Sequence, residues 1–176
     1  MPFFLTGIVA MTVIVTASNF LVQFPINDWL TWGALTYPVS FLVTDLTNRH
    51  LGPQSARRVV YVGFAFAVVF SMLLATPRIA IASGSAFLTA QLLDIYVFNR
   101  VAKKRWWLPP LLSSLIGSTL DTALFFALAF AGTGLPWITW AIGDLGVKFA
   151  IALLMLVPFR LLLAVTVPIA RTSTNH

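Results

Sequence analysis

The sequence of 176 residues has no cysteine, no glutamate, two histidines and only 9% charged residues. Without cysteine there is no disulfide and no thiolate metal site, and cysteine usage says nothing about the redox compartment. His50 and His176 are a lone loop residue and a tail residue with no third ligand nearby, which argues against a metal centre. There is no HExxH, no CxxC, no Ser/His/Asp set and no glycine-rich phosphate loop; Gly132-Thr133-Gly134 reads as a turn. These absences speak against an ATP-hydrolysing engine and against an enzyme, and no cofactor is expected. The scarcity of charge excludes a soluble domain, which would carry about 25% charged residues. Instead 59% of the residues are hydrophobic and the mean hydropathy is +0.92, so lipid must solvate much of the surface.

One hydrocarbon crossing takes about 20 helical residues. Apolar runs bounded by Pro, Gly and charge predict an all-α, polytopic bundle of six transmembrane helices, near 3–24, 29–48, 58–76, 79–99, 108–131 and 137–158, the last extending as far as 168. Pro38 should kink or break the second helix, because it removes a backbone donor. Pro77-Arg78 reads as a very tight link. The stretch from Ala80 to Ala86 is rich in small residues, which permits close helix approach and would permit a homodimer. The N-terminus lacks a basic region before its apolar run and reads as a retained helix. Asp45 and Asp121 take similar places in two sets of three helices, which allows a 3+3 repeat without establishing one.

Eleven Lys and Arg face five acids, all of them Asp. In a membrane chain this excess signals topology and not nucleic-acid binding. Arg49, Arg57, Arg58, Arg100, Lys103, Lys104, Arg105 and Arg171 fall on one side of a six-helix arrangement, and Arg78 and Asp28 on the other. Basic loops are cytoplasmic, so both termini should be cytoplasmic. Trp29 and Trp32 at one end, and Trp106 and Trp107 at the other, suit interfacial belts.

A charge at the bilayer centre costs about 2.5 kcal/mol or more, so intramembrane polar residues mark a site or a partner. Asp121 is near the middle of the fifth helix. Asp144 and Lys148 share a face of the sixth at i, i+4. They form either a self-neutralising structural pair or, with Asp121, a substrate or proton site. Asp45 and Asp94, the latter sharing a face with Gln91, either pair with Arg49, Arg57, Arg58 or Arg100 at the interface or line a cavity. Asn48-Arg49 and Asn99-Arg100 suit helix C-termini. Asn19 and Gln23 read as helix glue or as a site, and Arg78 as a snorkelling residue or a gate. Trp32, Tyr37 and Tyr96 could stack on a flat ligand.

Several motifs occur in an order that resembles the bacterial queuosine precursor transporter family. They are Thr31-Trp32-Gly33-Ala34, Phe41-Leu42-Val43-Thr44-Asp45-Leu46-Thr47-Asn48-Arg49-His50-Leu51-Gly52 with Ala56-Arg57-Arg58, Gln91-Leu92-Leu93-Asp94-Ile95-Tyr96-Val97-Phe98-Asn99-Arg100, Arg105-Trp106-Trp107-Leu108, Ser118-Thr119-Leu120-Asp121-Thr122, and Asp144 with Lys148-Phe149. The resemblance runs from about 16 to 158; the Pro77-Arg78 link and the termini are shorter than the family's. It implies an inner-membrane importer of 7-cyano-7-deazaguanine, and of its aminomethyl relative, for queuosine salvage into tRNA. Such a base presents an N1–H and an amine side by side, which one carboxylate can accept together. Its O6 and nitrile need donors. On this reading Asp45, Gln91, Asp94 and Asp121 line the cavity, Asn19 and Lys148 donate, and Asp144 partners Lys148; the choice among Asp45, Asp94 and Asp121 as acceptor stays open. A capture subunit served by a separate ATP-driven module is the alternative.

Overall fold

Proline, glycine and short polar turns cut this apolar chain into helices. The computed structural model describes residues 2–166, with side chains from 3 to 163. Pro168, Arg171 and His176 lie outside the described residues. The helices are α1 (Pro2–Leu21), α2 (Gly33–Thr36), α3 (Val39–Leu74), α4 (Pro77–Val101), α5 (Leu108–Phe130) and α6 (Trp137–Thr166). Among the described residues five stretches are long and apolar enough to cross a membrane, the longest being Gly33–Leu74.

That longest stretch is broken twice. At Pro38, which has no N–H to donate, α2 stops and α3 begins; Ser40 and Phe41 bond back only three residues, to Tyr37 and Pro38. At Gly52 the backbone takes φ 80° and ψ 171°, which a side-chain-bearing residue rarely adopts. Pro53 then starts a new helical arm, as Pro suits a first turn. The chain reverses there. Thr47 and Val59 would stand about 18 Å apart along a straight helix, yet both come against Gly7 of α1. The first arm runs antiparallel to α1, with Thr36 bonded to Ser18 at 2.7 Å and Thr47 at Gly7. The second runs parallel to α1, with Gly63 against Met11 and Ser71 bonded to Asn19 at 2.8 Å.

Several boundaries differ from the sequence reading. α1 ends at Leu21, three residues early, where Gln23 Nε2 donates to the Phe20 and Leu74 carbonyls. The residues near 29–32 are not helical. Asn27 Oδ1 accepts from the backbone N–H of Trp29 and Leu30, and Pro25 and Thr31 form a β-bridge, so a tight loop forms. This loop is fixed to α6: Thr139 donates to the Asp28 carbonyl, and the Trp29 carbonyl fills the space a Cβ on Gly143 would need. Pro77-Arg78 is not a link. Thr76 caps α4 and Pro77 opens it. α6 continues through Pro158.

The small-residue stretch of α4 packs inside the chain. Ala80, Ala82, Ser83, Gly84 and Ala86 are buried, with Ser83 on Asn19 and Gly84 on Phe64. Arg78 reaches across to α5. It donates to the Leu128 and Ala131 carbonyls at 2.9 and 2.6 Å and so caps the C-terminus of α5. Asn99 Nδ2 donates both to the Ile95 carbonyl near the end of its own helix, at 2.6 Å, and to Asn48 Oδ1 across α3 and α4, at 3.2 Å, and Arg49 reaches the Ala102 carbonyl at the end of α4. Near the N-terminus, Phe3 packs with Leu46, Phe98, Trp106, Phe159 and Leu163, which brings the start of α1 and the far part of α6 to one end.

Gly52→Ala forces a side chain into a glycine-only conformation and should lower stability by about 1–3 kcal/mol. Gly146→Ala, with no neighbour within 4 Å of the added Cβ, should be neutral or stabilising by up to about 1 kcal/mol. Chemical unfolding in mixed micelles distinguishes the two.

Candidate functional site

The acid-bearing faces of α5 and α6 meet in the middle of the bundle. Lys148 Nζ donates to Asp121 Oδ2 at 2.7 Å, to Asp144 Oδ2 at 2.6 Å and to Thr122 Oγ1 at 2.9 Å, which accounts for all three of its protons. Thr122 in turn donates to Asp144 at 2.8 Å. Tyr37, at the break between α2 and α3, donates its hydroxyl to Asp121 Oδ1 at 2.6 Å and holds its ring under the ammonium at 4.9 Å. Lys148, Asp121 and Asp144 are all buried. The set has one cation and two carboxylates, so one negative charge is left over. Both Asp121 oxygens are engaged, whereas Asp144 Oδ1 has no protein partner among the described residues.

Two cavities meet at Lys148. The upper one, about 20 Å³, is lined by Asn19, Tyr37, Ser83, Phe125, Asp121, Asp144 and Lys148. That is room for about one water, so a bicyclic ring would enter only as it widens. The lower one, about 10 Å³, is lined by Lys148, Phe41, Ser118 and Asp45 among others. The lysine is the wall between them.

The predicted site residues therefore separate. Asn19, Asp121, Asp144 and Lys148 come together at the upper cavity, and Asp45 lines the lower one. Gln91 lines neither. It accepts from Thr44 at 2.6 Å and donates to Ser40 at 3.0 Å, which ties α4 to α3. Asp94 also lines neither; it is buried beside Gly117. Among the described residues neither Asp45 nor Asp94 pairs with an arginine. The i, i+4 relation of Asp45 to Arg49 is overridden because Asp45 turns inward, onto Ser113 and Ser114 at 3.3 Å each. Of the aromatic candidates only Tyr37 lines either of these two cavities; Trp32 is exposed, and Tyr96 is exposed with Arg100 over its ring. Among the described residues no group of His, Cys, Asp or Glu is placed to hold a metal ion.

Sequence reasoning missed the hydroxyls: Ser18, Ser71, Ser83, Ser113, Ser114 and Thr122. A signal was present in α5, where Ser114, Ser118 and Thr122 recur every four residues on the face of Asp121.

The family described as "Putative vitamin uptake transporter" matches residues 31–76 and 71–163. A protein of Escherichia coli (strain K12) named "Queuosine precursor transporter" is 35% identical, over 82% of this chain and 79% of its own length. A Haemophilus influenzae protein named "Probable queuosine precursor transporter" is 34% identical over the same shares, and a Bacillus subtilis protein of that name 28% identical over 72% and 68%. No solved structure matches.

Lys148→Met would leave two buried carboxylates without a cation, and should cost about 3–5 kcal/mol of stability. Asp144→Asn leaves a neutral Lys148–Asp121 pair and should cost clearly less. Unfolding of the two variants in the same micelles checks the order.

Proposed function

The chain belongs to the queuosine precursor transporter family, and on that premise we propose that it imports queuosine precursors across the bacterial inner membrane. The cargo is 7-cyano-7-deazaguanine, and the same contacts take its aminomethyl relative, for salvage into tRNA. The observation that carries this reading is the Lys148 cluster, buried in an apolar bundle and bordering a cavity with both donors and acceptors. Membrane-embedded ionisable groups are costly and mark substrate paths.

Within the upper cavity, Asp144 is the acceptor for the N1–H and amine edge, since its Oδ1 is free. Lys148 and Asn19 donate to the O6 and nitrile. Tyr37 and Phe125 provide apolar walls for the ring. Entry of the base would draw Asp144 away from Lys148 and so loosen the wall between the two cavities.

Six crossings follow from reading the two arms of α3 as separate spans. At 36 residues α3 would extend about 54 Å if straight, against about 30 Å of hydrocarbon, and the reversal at Gly52 divides it. The crossings then fall into two sets of three, with Asp45 and Asp121 each on a middle helix, as a repeat would place them. Arg49, Arg57, Arg58, Arg100, Lys103, Lys104 and Arg105 lie towards the end where Phe3 meets Leu163. By the positive-inside tendency this end is cytoplasmic, and both termini with it.

Liposomes containing only the purified chain should take up labelled 7-cyano-7-deazaguanine. Asp144→Asn should weaken binding by about tenfold or more, as expected when a charge-assisted contact worth about 1.5–3 kcal/mol is lost. Binding without uptake would make the chain a capture subunit. Loss of both would overturn the reading.

A further inference from the structure

The Lys148 cluster leaves Asp45 and Asp94 unexplained. They belong to α3 and α4, and both are essentially inaccessible, at 2% and 0% exposure. They lie side by side against the same stretch of α5: Ser113 donates to Asp45 at 3.3 Å, and Asp94 packs on Gly117 one turn along. Gly117, one turn further along α5, packs against Asp94 and Phe41 and lets the three helices close around the pair. Asp45 has the hydroxyls of Ser113 and Ser114. No well-formed hydrogen bond reaches either oxygen of Asp94.

Among the described residues no cation is paired with either acid. On α6, Lys148 is held by Asp121, Asp144 and Thr122, and Arg160 lies over the Trp106 ring. On α3, Arg49 reaches the Ala102 carbonyl, and His50 meets the Leu46 carbonyl and the Phe3 ring. On α4, Arg100 lies over Tyr96. α5 offers hydroxyls and a third acid, Asp121, which is held by Lys148 and Tyr37, and α1 has no titratable side chain. Two adjacent carboxylates cannot both ionise in a dry, cation-free setting. An acid with one proton can instead donate to its ionised neighbour, the short charge-assisted bond of a shared proton. Such a bond would also supply the partner that Asp94 lacks.

We propose that Asp45 and Asp94 form a proton-binding site that holds one proton between two carboxyl groups. It is separate from the Lys148 cluster and exchanges its proton through the lower cavity, which Asp45 lines. Lys148 borders that same cavity, so loosening of its ion pairs and exposure of the proton site involve one space. Proton release there accompanies passage of cargo. This second step rests on the transport reading; the binding of the proton does not.

The chain's five acids are all Asp, so aspartate labelled with carbon-13 at the side-chain carboxyl gives five side-chain signals, whose positions distinguish protonated from ionised forms. In lipid nanodiscs at neutral pH and without cargo, we expect one protonated signal, which vanishes in D45N or D94N. If those variants do not fold, D28N, D121N and D144N assign it by elimination. Five ionised signals, or a protonated signal assigned to Asp28, Asp121 or Asp144, overturn the proposal. In proteoliposomes, an inward proton gradient should speed cargo uptake several-fold, and D94N should flatten that response. A protonated pair with no gradient effect removes the coupling step and leaves the proton site. Absence of any deazaguanine uptake strikes the transport reading instead.

Discussion

One ammonium group holds the centre of this bundle together. Lys148 crosses from α6 to α5, satisfies two carboxylates and a threonine, and sits over the ring of Tyr37. In hydrocarbon there is no water to replace a lost partner, so each group in the cluster fixes the rotamers of the others. The cluster is also underneutralised. An assembly that needed only cohesion could use one acid for one lysine; here a second acid leaves a charge that can meet a donor-rich solute.

The remaining polar groups work as ties between helices and explain why so few charges suffice. Asn19 donates to Ser71 and accepts from Ser83, so one α1 side chain joins the second arm of α3 to α4. Gln91 does the same between α4 and the first arm of α3. Arg78 and Arg49 cap helices other than their own. Lipid exerts little pull between apolar helices, so hydrogen bonds and close packing of small residues have to supply the association.

Much of the architecture was legible in the chain because a crossing needs a long apolar run and the breaks between runs are chemically distinct. The break at Pro38 could be read from its missing N–H, and the association of Asp144 with Lys148 from their spacing. The reversal at Gly52 was harder to place, since neighbouring residues remain helix formers and only a positive φ separates the arms. The loop near 29–32 was hidden because Trp and Leu satisfy an apolar pattern whether they lie in a helix or at an interface. The direction of a side chain around a helix depends on the tertiary neighbours, and this is where the reading of the site was weakest. Asp45 has Arg49 at the favoured spacing, yet turns to two serines on α5. Gln91 looks like a ligand residue but is consumed by internal contacts.

The contact of Gly143 with the Trp29 carbonyl bears on how the chain tolerates change. The closest approach there is to backbone, so the side chain of Trp29 scarcely matters to the fit, whereas any side chain at 143 would lift the loop from α6. Variation is permitted on one side of the contact and forbidden on the other. The loop's outward side chains can thus drift while its anchorage to the bundle stays fixed.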